Sequence, residues 1–593
     1  MVPFEDSRRL LGSNPYFRGA GAALEVIGET CDAALIRGWR ARVERAAHRL
    51  GWAAPRVVAR AHASGLTLAL GAPEDALFVA TEINEWALIA TLIERDPARA
   101  PALEQALRVY ARNAAAGVAP AGADLDPVLE EAQALARFEH LARLERRTAL
   151  RAVLEQAARR GLSHRLEESR LVLGSGAGLH AVHLGSPPPT EQIPWDGIHD
   201  VPTVLVTGSN GKTTTVRLIA ACARAHGWHT GYNCTEGVFI DEQAVEQGDY
   251  SGPAGARRVL DETGIQAAVL ETARGGILRR GITVEHARAA VVTNVSADHF
   301  GEYGIHDLEA LARVKLAVAA ALAPDGLLIL NADDAALRAQ VGELKVRYGA
   351  TPALAWFSAT SDACAECATA SCAVSSGRLQ LAWHESRHDL GSIEEMPLTL
   401  AGLASYNVAN LAAAALAAAA LGIAPATLRA VFARFGSSAV DNPGRLMRYT
   451  VRGATALLDY AHNPDGLRGF LAVAARLRRD PSRLAVLLGT AGNRLDADIE
   501  ELARVAAHFR PDLIVIKENE AHLRGRAVGE VPGILAAELR RLGVPDSSLL
   551  FAASELEAAR RVLEWARPGD VLAMPVHGAG ARTAVLELIA AAR

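Results

Sequence analysis

A chain of 593 residues, half of them hydrophobic, is too long for one compact core, and length alone divides it into three or four domains. Its 62 basic and 67 acidic side chains are interspersed at a formal net charge of -5, without the concentrated basic face of a nucleic-acid binder, which leaves small-molecule or peptide chemistry. Six cysteines in such a length do not make a disulfide framework and point to a reducing cytosol; no signal-peptide core follows Met1, and no uncharged run reaches the roughly 18–20 residues of a membrane span. A soluble, cytoplasmic protein is expected.

Residues 1–190 alternate short apolar strands (Val57–Ala59, Leu66–Leu70, Leu171–Leu173) with Ala/Arg/Glu-rich helical stretches, most clearly around 127–160. This predicts an α+β N-terminal domain without a catalytic motif. The proline run within Gly185–Thr190 cannot continue a helix or a central strand and reads as a linker. Over 191–440, apolar strands at Thr203–Thr207, Ala267–Leu270, Ala289–Thr293 and Leu327–Leu330 alternate with helices, the pattern of a doubly wound parallel sheet. Within it, 350–400 reads as a β-rich or irregular insertion, and alanine-rich Leu411–Ala424 as a buried helix packed closely on a neighbour. After Asn442-Pro-Gly-Arg445, strands at Ala456–Asp459, Ala485–Leu488, Leu513–Ile516 and Val571–Met574 predict a Rossmann-like C-terminal α/β domain over 441–593.

Strand Val204–Val206 runs directly into Gly208-Ser-Asn210-Gly211-Lys212-Thr213-Thr214-Thr215 and then an apolar helix, the order a phosphate-binding P-loop needs. Gly208 and Gly211 let the backbone approach a phosphate, Asn210 and Thr214 share the loop, Lys212 reaches the β- and γ-phosphates, and the Thr213 hydroxyl can ligate Mg²⁺. Glu271 and Asp298-His299 follow later strands, where open α/β sheets place their ligands, and can reach a phosphate-bound Mg²⁺.

Together with Glu271-Thr-Ala-Arg274-Gly-Gly, Thr293-Asn-Val-Ser-Ala-Asp298-His299, Asn331-Ala-Asp-Asp, Tyr406-Asn407-Val-Ala-Asn410, Asn442-Pro-Gly-Arg445 and Asp459-Tyr-Ala-His462-Asn463-Pro, the loop forms an ordered series that resembles the Mur ligase family. The wording is most similar to the Mur-like half of cyanophycin synthetase, including Gly301–His306 and Leu523–Arg526. The resemblance implies an ATP-dependent carboxylate–amine ligase, in which a carboxylate takes the γ-phosphoryl group and the acyl phosphate is captured by an amine, giving an amide, ADP and phosphate. It further implies Lys212 and Thr213 for the phosphates and a first Mg²⁺, with Glu271 and His299 completing metal coordination. Lys315 would be carbamylated and hold a second Mg²⁺, Asn407 would approach the adenine, and Arg445 and Asp459 would hold nucleotide from the C-terminal domain. His462 is a candidate for orienting or deprotonating the amine, with nucleotide-side positioning as the alternative.

Arg8-Arg-Leu-Leu-Gly-Ser-Asn14 resembles the opening of the N-terminal domain of cyanophycin synthetase, and only a short stretch separates Gly178 from the phosphate loop. The ATP-grasp domain of that family is therefore expected to be missing, leaving one ATP site. Arg494, Arg524 and Arg526, in polar loops, are candidates to clamp a substrate carboxylate. Cys364-x2-Cys367-x4-Cys372, with His384 or His388 as the nearby fourth ligand, reads as reduced thiols rather than a closed zinc site, and His577-Gly-Ala-Gly580 as a glycine turn able to face the cleft. The expected partners are an amino acid or short peptide, with no nucleic acid and no membrane; a homo-oligomer stays open. Competing readings are a ligase for peptidoglycan precursors or for folate glutamyl chains, and a nucleotide-binding partner of a full-length synthetase that has lost catalysis.

Overall fold

Four sheets organise the described residues of the computed structural model, which are 2–592 apart from 30, 53, 115–118, 168, 186, 299, 361–369, 520 and 521. The first is antiparallel, with strands in the spatial order Phe4–Leu10, Gly21–Ile27, Gly65–Gly71 and Val57–His62. Helix Ala33–Arg49, capped by the Asp32 carboxylate on the Leu35 amide, and helix Leu77–Arg95 cover its apolar face. By length and composition the second helix could cross a membrane, yet 78% of its apolar window is buried inside the protein, as expected of a core helix. Its polar groups are satisfied internally: Trp39 Nε1 donates to Asn84 Oδ1 (2.8 Å), and Asn84 Nδ2 donates to the Leu68 carbonyl (3.1 Å).

A three-stranded sheet (His164–Leu166, Arg170–Leu173, His180–His183) has its own small core, which reaches Ile193 and Ile198 across the proline run. It leads into the central sheet of eleven strands. From Thr230–Cys234 through Ala267–Glu271, Thr203–Thr207, Ala287–Val292, Leu322–Asn331 and Ala353–Ser358 to Ala370–Ser375 the neighbours are parallel, and antiparallel strands finish both edges. The segment read as a β-rich or irregular insertion at 350–400 is β-rich, but it continues this sheet and is not an insertion. Strand Ala353–Ser358 pairs in register with Leu322–Asn331, and Cys372 points into the core. The first strand of the unit, Thr203–Thr207, lies between Ala267–Glu271 and Ala287–Val292, so the chain reverses its winding beside it and opens a crevice at the strand ends.

Helix Ser405–Ala420 packs on helix Lys212–His226 with Ala412–Ala415, Ala417 and Ala418 fully buried, and the small side chains allow the two backbones to approach. The fourth sheet, Met447–Val451, Ala454–Asp459, Val571–Pro575, Leu484–Leu488, Leu513–Lys517 and Leu549–Ala552, is parallel apart from its first strand. The first sheet is pinned to the central one by Arg8, whose Nε donates to the Leu278 carbonyl (2.8 Å) while its fork holds Glu25 (2.7 Å).

Glu85, buried under the first sheet, accepts a hydrogen bond from Ser7 Oγ (2.6 Å), and burial, reinforced by Glu82, pushes its carboxyl up to about 8. In the unfolded chain the group titrates near 4.5. Between these values the folded state holds a proton that the unfolded state has lost, so stability falls by roughly 1.4 kcal/mol per pH unit as pH rises. The melting temperature of the wild type should therefore drop relative to Glu85→Gln between about pH 5 and pH 8; a gap independent of pH would show that Glu85 is not buried as the neutral acid.

Candidate functional site

The phosphate loop is shaped by two glycines that nothing larger can replace. Gly208 has φ +149°, and a Cβ there would lie 1.8 Å from Thr293 Oγ1; Gly211 has φ +81°, and its Cβ would meet Asn410 Oδ1 at 2.3 Å. Between them, the Asn210 amide donates to Asn294 Oδ1 (2.9 Å) and its carboxamide to Ser296 Oγ (3.2 Å), while the Thr293 hydroxyl donates to the Asn210 carbonyl (2.6 Å). The loop is thus fastened to the end of the neighbouring strand and leaves the N-terminus of helix Lys212–His226 facing a cavity of about 240 Å³. Lys212 Nζ, bonded to the Ser209 carbonyl (3.1 Å), lines this cavity and also a larger cleft of about 1400 Å³ beyond it.

Hard oxygen donors converge beside Lys212. Thr213 Oγ1 donates to Glu271 Oε2 (2.8 Å), and Thr235 Oγ1 donates to Oε1 (3.2 Å). Burial pushes the Glu271 carboxyl up, and the Lys212 charge pulls it back down. Lys315 ends helix Leu308–Lys315 with its side chain buried; burial, and then the Lys212 charge, hold its ammonium well below the usual lysine range against the pull of Asp298. An amine so depressed is available as a nucleophile toward CO₂. His299 lies outside the described residues. Its neighbour Asp298 forms an ion pair with Arg494 (2.5 Å) and stands 3.7 Å from His462 Nε2.

The C-terminal unit closes the cavity from the other side. Asn463 Nδ2 donates to Asn210 Oδ1 (3.0 Å), and Asn442 Nδ2 to Thr214 Oγ1 (3.1 Å), so both parts of the chain hold the loop directly. Arg445 pairs with Glu236 (3.0 Å) and stacks over the Tyr460 ring at 4.1 Å. Asp459 accepts the backbone amides of Leu446 (2.6 Å) and Ala461 (2.8 Å), fixing the two turns that carry Arg445 and His462. Burial lowers the His462 pKa in spite of Asp298, so the ring is neutral and able to accept a proton. Asn407 lines the cavity, but its carboxamide donates to the Leu398 carbonyl (2.9 Å) and accepts from Asn410 Nδ2 (3.0 Å).

His577 does face the cleft, where its Nε2 meets the Ala461 carbonyl at 3.1 Å. The backbone amides of His577 and Gly578 donate to Glu555 (2.9 and 2.8 Å), which also takes the fully buried Lys517 ammonium; Lys517 in turn donates to the Pro575 carbonyl (2.6 Å).

The three substrate-clamp arginines part company. Arg524 lines the large cleft. Arg494, 8% exposed at its side chain, is committed to Asp298. Arg526 instead braces its own loop, through Asp496 (2.6 Å), Glu530 (2.7 Å) and the carbonyls of Gly492 and Arg494 (both 2.8 Å). Of the cysteine trio, Cys372 is a buried core thiol, and Cys364 and Cys367 lie outside the described residues. Sequence reasoning passed over Thr235, Asn442 and Asn463; the last two stand immediately before prolines inside motifs already singled out.

Because the Gly208 conformation and the Thr293 contact both exclude a Cβ, Gly208→Ala should weaken ADP binding by about 10–100-fold, corresponding to roughly 1–3 kcal/mol of loop strain. Calorimetric titration checks this, and an unchanged affinity would remove the loop as the phosphate site.

With this geometry in hand, comparison with known proteins is specific. The Mur ligase middle domain matches residues 206–418, and the Mur ligase glutamate ligase domain matches residues 444–575. The chain is 34% identical over 372 residues to cyanophycin synthetase of Trichormus variabilis, covering 62% of this chain and 40% of that protein. It is 28% identical over 384 residues to the UDP-N-acetylmuramoyl-L-alanyl-D-glutamate–2,6-diaminopimelate ligase of Chlorobaculum tepidum, covering 63% and 71%. The chain thus spans about 40% of the length of the cyanophycin synthetases it matches. In fold it is similar to E. coli FolC in complex with DHPP and ADP, at a TM-score of 0.50 and 19% identity over 66% of this chain and 89% of that one. Through its middle and C-terminal domains, the chain belongs to the Mur ligase family.

Proposed function

We propose that this chain uses ATP to join a carboxylate, of an aspartyl-type amino acid or peptide, to an amino-acid amine, forming one amide bond per ATP. The observation that most supports this is the Thr213–Glu271 oxygen pair beside Lys212, under a loop that Asn463 and Asn442 close from the C-terminal side. Residues 1–190, 191–440 and 441–593 would act as an N-terminal, an ATP-binding and a closing unit.

The donor set suits Mg²⁺, which takes hard oxygen ligands: Thr213 and Glu271 are in contact, and His299 and a carbamylated Lys315 would complete the coordination of two ions. Bound there, Mg²⁺ neutralises phosphate charge. Lys212 adds its own charge where the γ-phosphoryl group passes to the carboxylate. Neutral His462, held by Asp298, takes a proton from the incoming amine so that nitrogen attacks the acyl phosphate and phosphate leaves. Asn407 borders the adenine side, Arg445 and Asp459 shape the nucleotide wall, and Arg524, without an ion pair among the described residues, is assigned to a substrate carboxylate; Arg494 and Arg526 keep its loop in place.

Phosphate release from Mg²⁺-ATP, measured with panels of amino acids and aspartyl peptides, tests the reading. Stimulation should require both a carboxylate and an amine, and a chain that binds nucleotide yet responds to no pair is a binding partner instead. Lys212→Ala should lower turnover by at least about 100-fold; substantial residual release would move the site elsewhere. Lys315→Ala should lose activity and regain part of it with added short carboxylic acids, whereas full activity without rescue rules out a carbamylated lysine.

A further inference from the structure

Away from the phosphate loop, the large cleft has a wall of guanidinium groups without ion-pair partners among the described residues. At Gly276 a Cβ would lie 2.5 Å from Pro253 Cδ, and this close approach lays helix Arg274–Arg280 against helix Pro253–Leu260. The packing brings Arg257 from one helix and Arg279 and Arg280 from the other to the same cleft. Neighbouring guanidinium groups have acidic partners: Arg274 holds Glu302, and Arg258 holds Glu246 (2.9 Å) and Glu262 (3.3 Å). Among the described residues, Arg257, Arg279 and Arg280 have no carboxylate within the 4.0 Å of an ion pair. Arg257 Nε is buried without a hydrogen-bond partner, and Arg279 Nε reaches only the Gly275 carbonyl (3.1 Å).

Beyond Asp6, Arg279, Arg280 and Tyr303 the cleft continues into a side cavity of about 390 Å³, where Arg9 adds another guanidinium and Glu82 and Glu85 add carboxyl groups. Burial and then the charge of Arg280 disfavour the charged form of Arg9 against the pull of Glu145, and burial, with Arg165 and Arg280, does the same for Arg257 against the pull of Glu167 and Asp261. Like charges gathered at a cleft wall, one with a buried unmet donor, are stabilised by an anion that fills the space.

We propose that Arg257, Arg279 and Arg280 form an anion subsite that grips a second carboxylate of the acceptor, remote from the carboxylate activated at Lys212. The proposal rests on the ligase reading of the cleft. The same cleft borders Lys212, Lys315 and these arginines, and its volume of about 1400 Å³ exceeds what a single amino acid fills. An acceptor carrying only the reacting acid would leave the wall empty. A peptide with a further acidic group spans both ends, and planar guanidinium forks match carboxylate geometry.

Calorimetry on the full chain saturated with Mg²⁺ and a non-hydrolysable ATP analogue tests this, with aspartyl-aspartate and its C-terminal amide as probes. The acid should bind at least about 10-fold tighter than the amide. Arg257→Gln and the double variant Arg279→Gln/Arg280→Gln should each remove most of that advantage and leave amide binding as it was, with nucleotide-analogue affinity reporting that the fold persists. Equal affinities for acid and amide in the wild type, or an acid affinity that neither variant changes, would overturn the subsite. Arginine-dependent preference for inorganic pyrophosphate over the dipeptide would overturn the carboxylate assignment in favour of a phosphate-bearing acceptor. Because the readout is binding, arginine-dependent capture of the dipeptide without phosphate release from ATP would remove the ligase reading and leave the subsite standing.

Discussion

The Asn210 residue carries a disproportionate share of the architecture. Its amide and carboxamide reach Asn294 and Ser296 at the end of the adjacent central strand, its carbonyl receives Thr293, and its carboxamide oxygen receives Asn463 from the C-terminal unit. One residue therefore ties together the phosphate loop, the sheet at its switch point and the part of the chain that closes over it. Each bond is modest, of order 1 kcal/mol. Their common end point is what makes loop shape and closure a single property.

Around that fastening the electrostatics are arranged so that charges are tuned by one another and not by bulk water. Lys212 draws the Glu271 carboxyl toward its ionised form and at the same time discourages protonation of Lys315. Asp298 answers Arg494 and His462, residues separated from it by most of the central unit in sequence. The central sheet supplies the acids and amines, and the C-terminal unit supplies the groups that complete them. An isolated middle domain would leave Asp298 and Asn210 without those partners.

The parts of this site that the sequence discloses are those with a local cause. Gly208 and Gly211 stand where the backbone itself demands glycine, and strand, loop and helix follow without interruption. The apolar runs of the central and C-terminal sheets announce themselves because both faces of those strands are covered. What stays hidden depends on distant partners. Arg494 and Arg526 look alike in the chain, yet one meets Asp298 and the other Asp496 and Glu530, and only tertiary packing sorts them. The β-rich character of 350–400 is legible, but not that strand Ala353–Ser358 joins the central sheet, because the segment after it breaks the alternation with helices. Asn442 and Asn463 lay inside recognised motifs, but a carboxamide gives no sign of whether it caps its own turn or crosses to another unit.

The buried Lys517–Glu555 pair has a bearing on how the C-terminal unit comes together. The ammonium sits on strand Leu513–Lys517, its carboxylate on helix Glu555–Trp565, and the remaining bonds go to Pro575, at the end of the last strand, and to His577 and Gly578 just beyond it. Either charge left alone in that interior would cost several kcal/mol. A half-built sheet that had buried the strand before the final segment arrived would bear that cost in full. The closing stretch of the chain is thereby made part of the same cooperative unit as the middle of its sheet, and the C-terminal wall of the cavity at the phosphate loop exists only once the whole unit does.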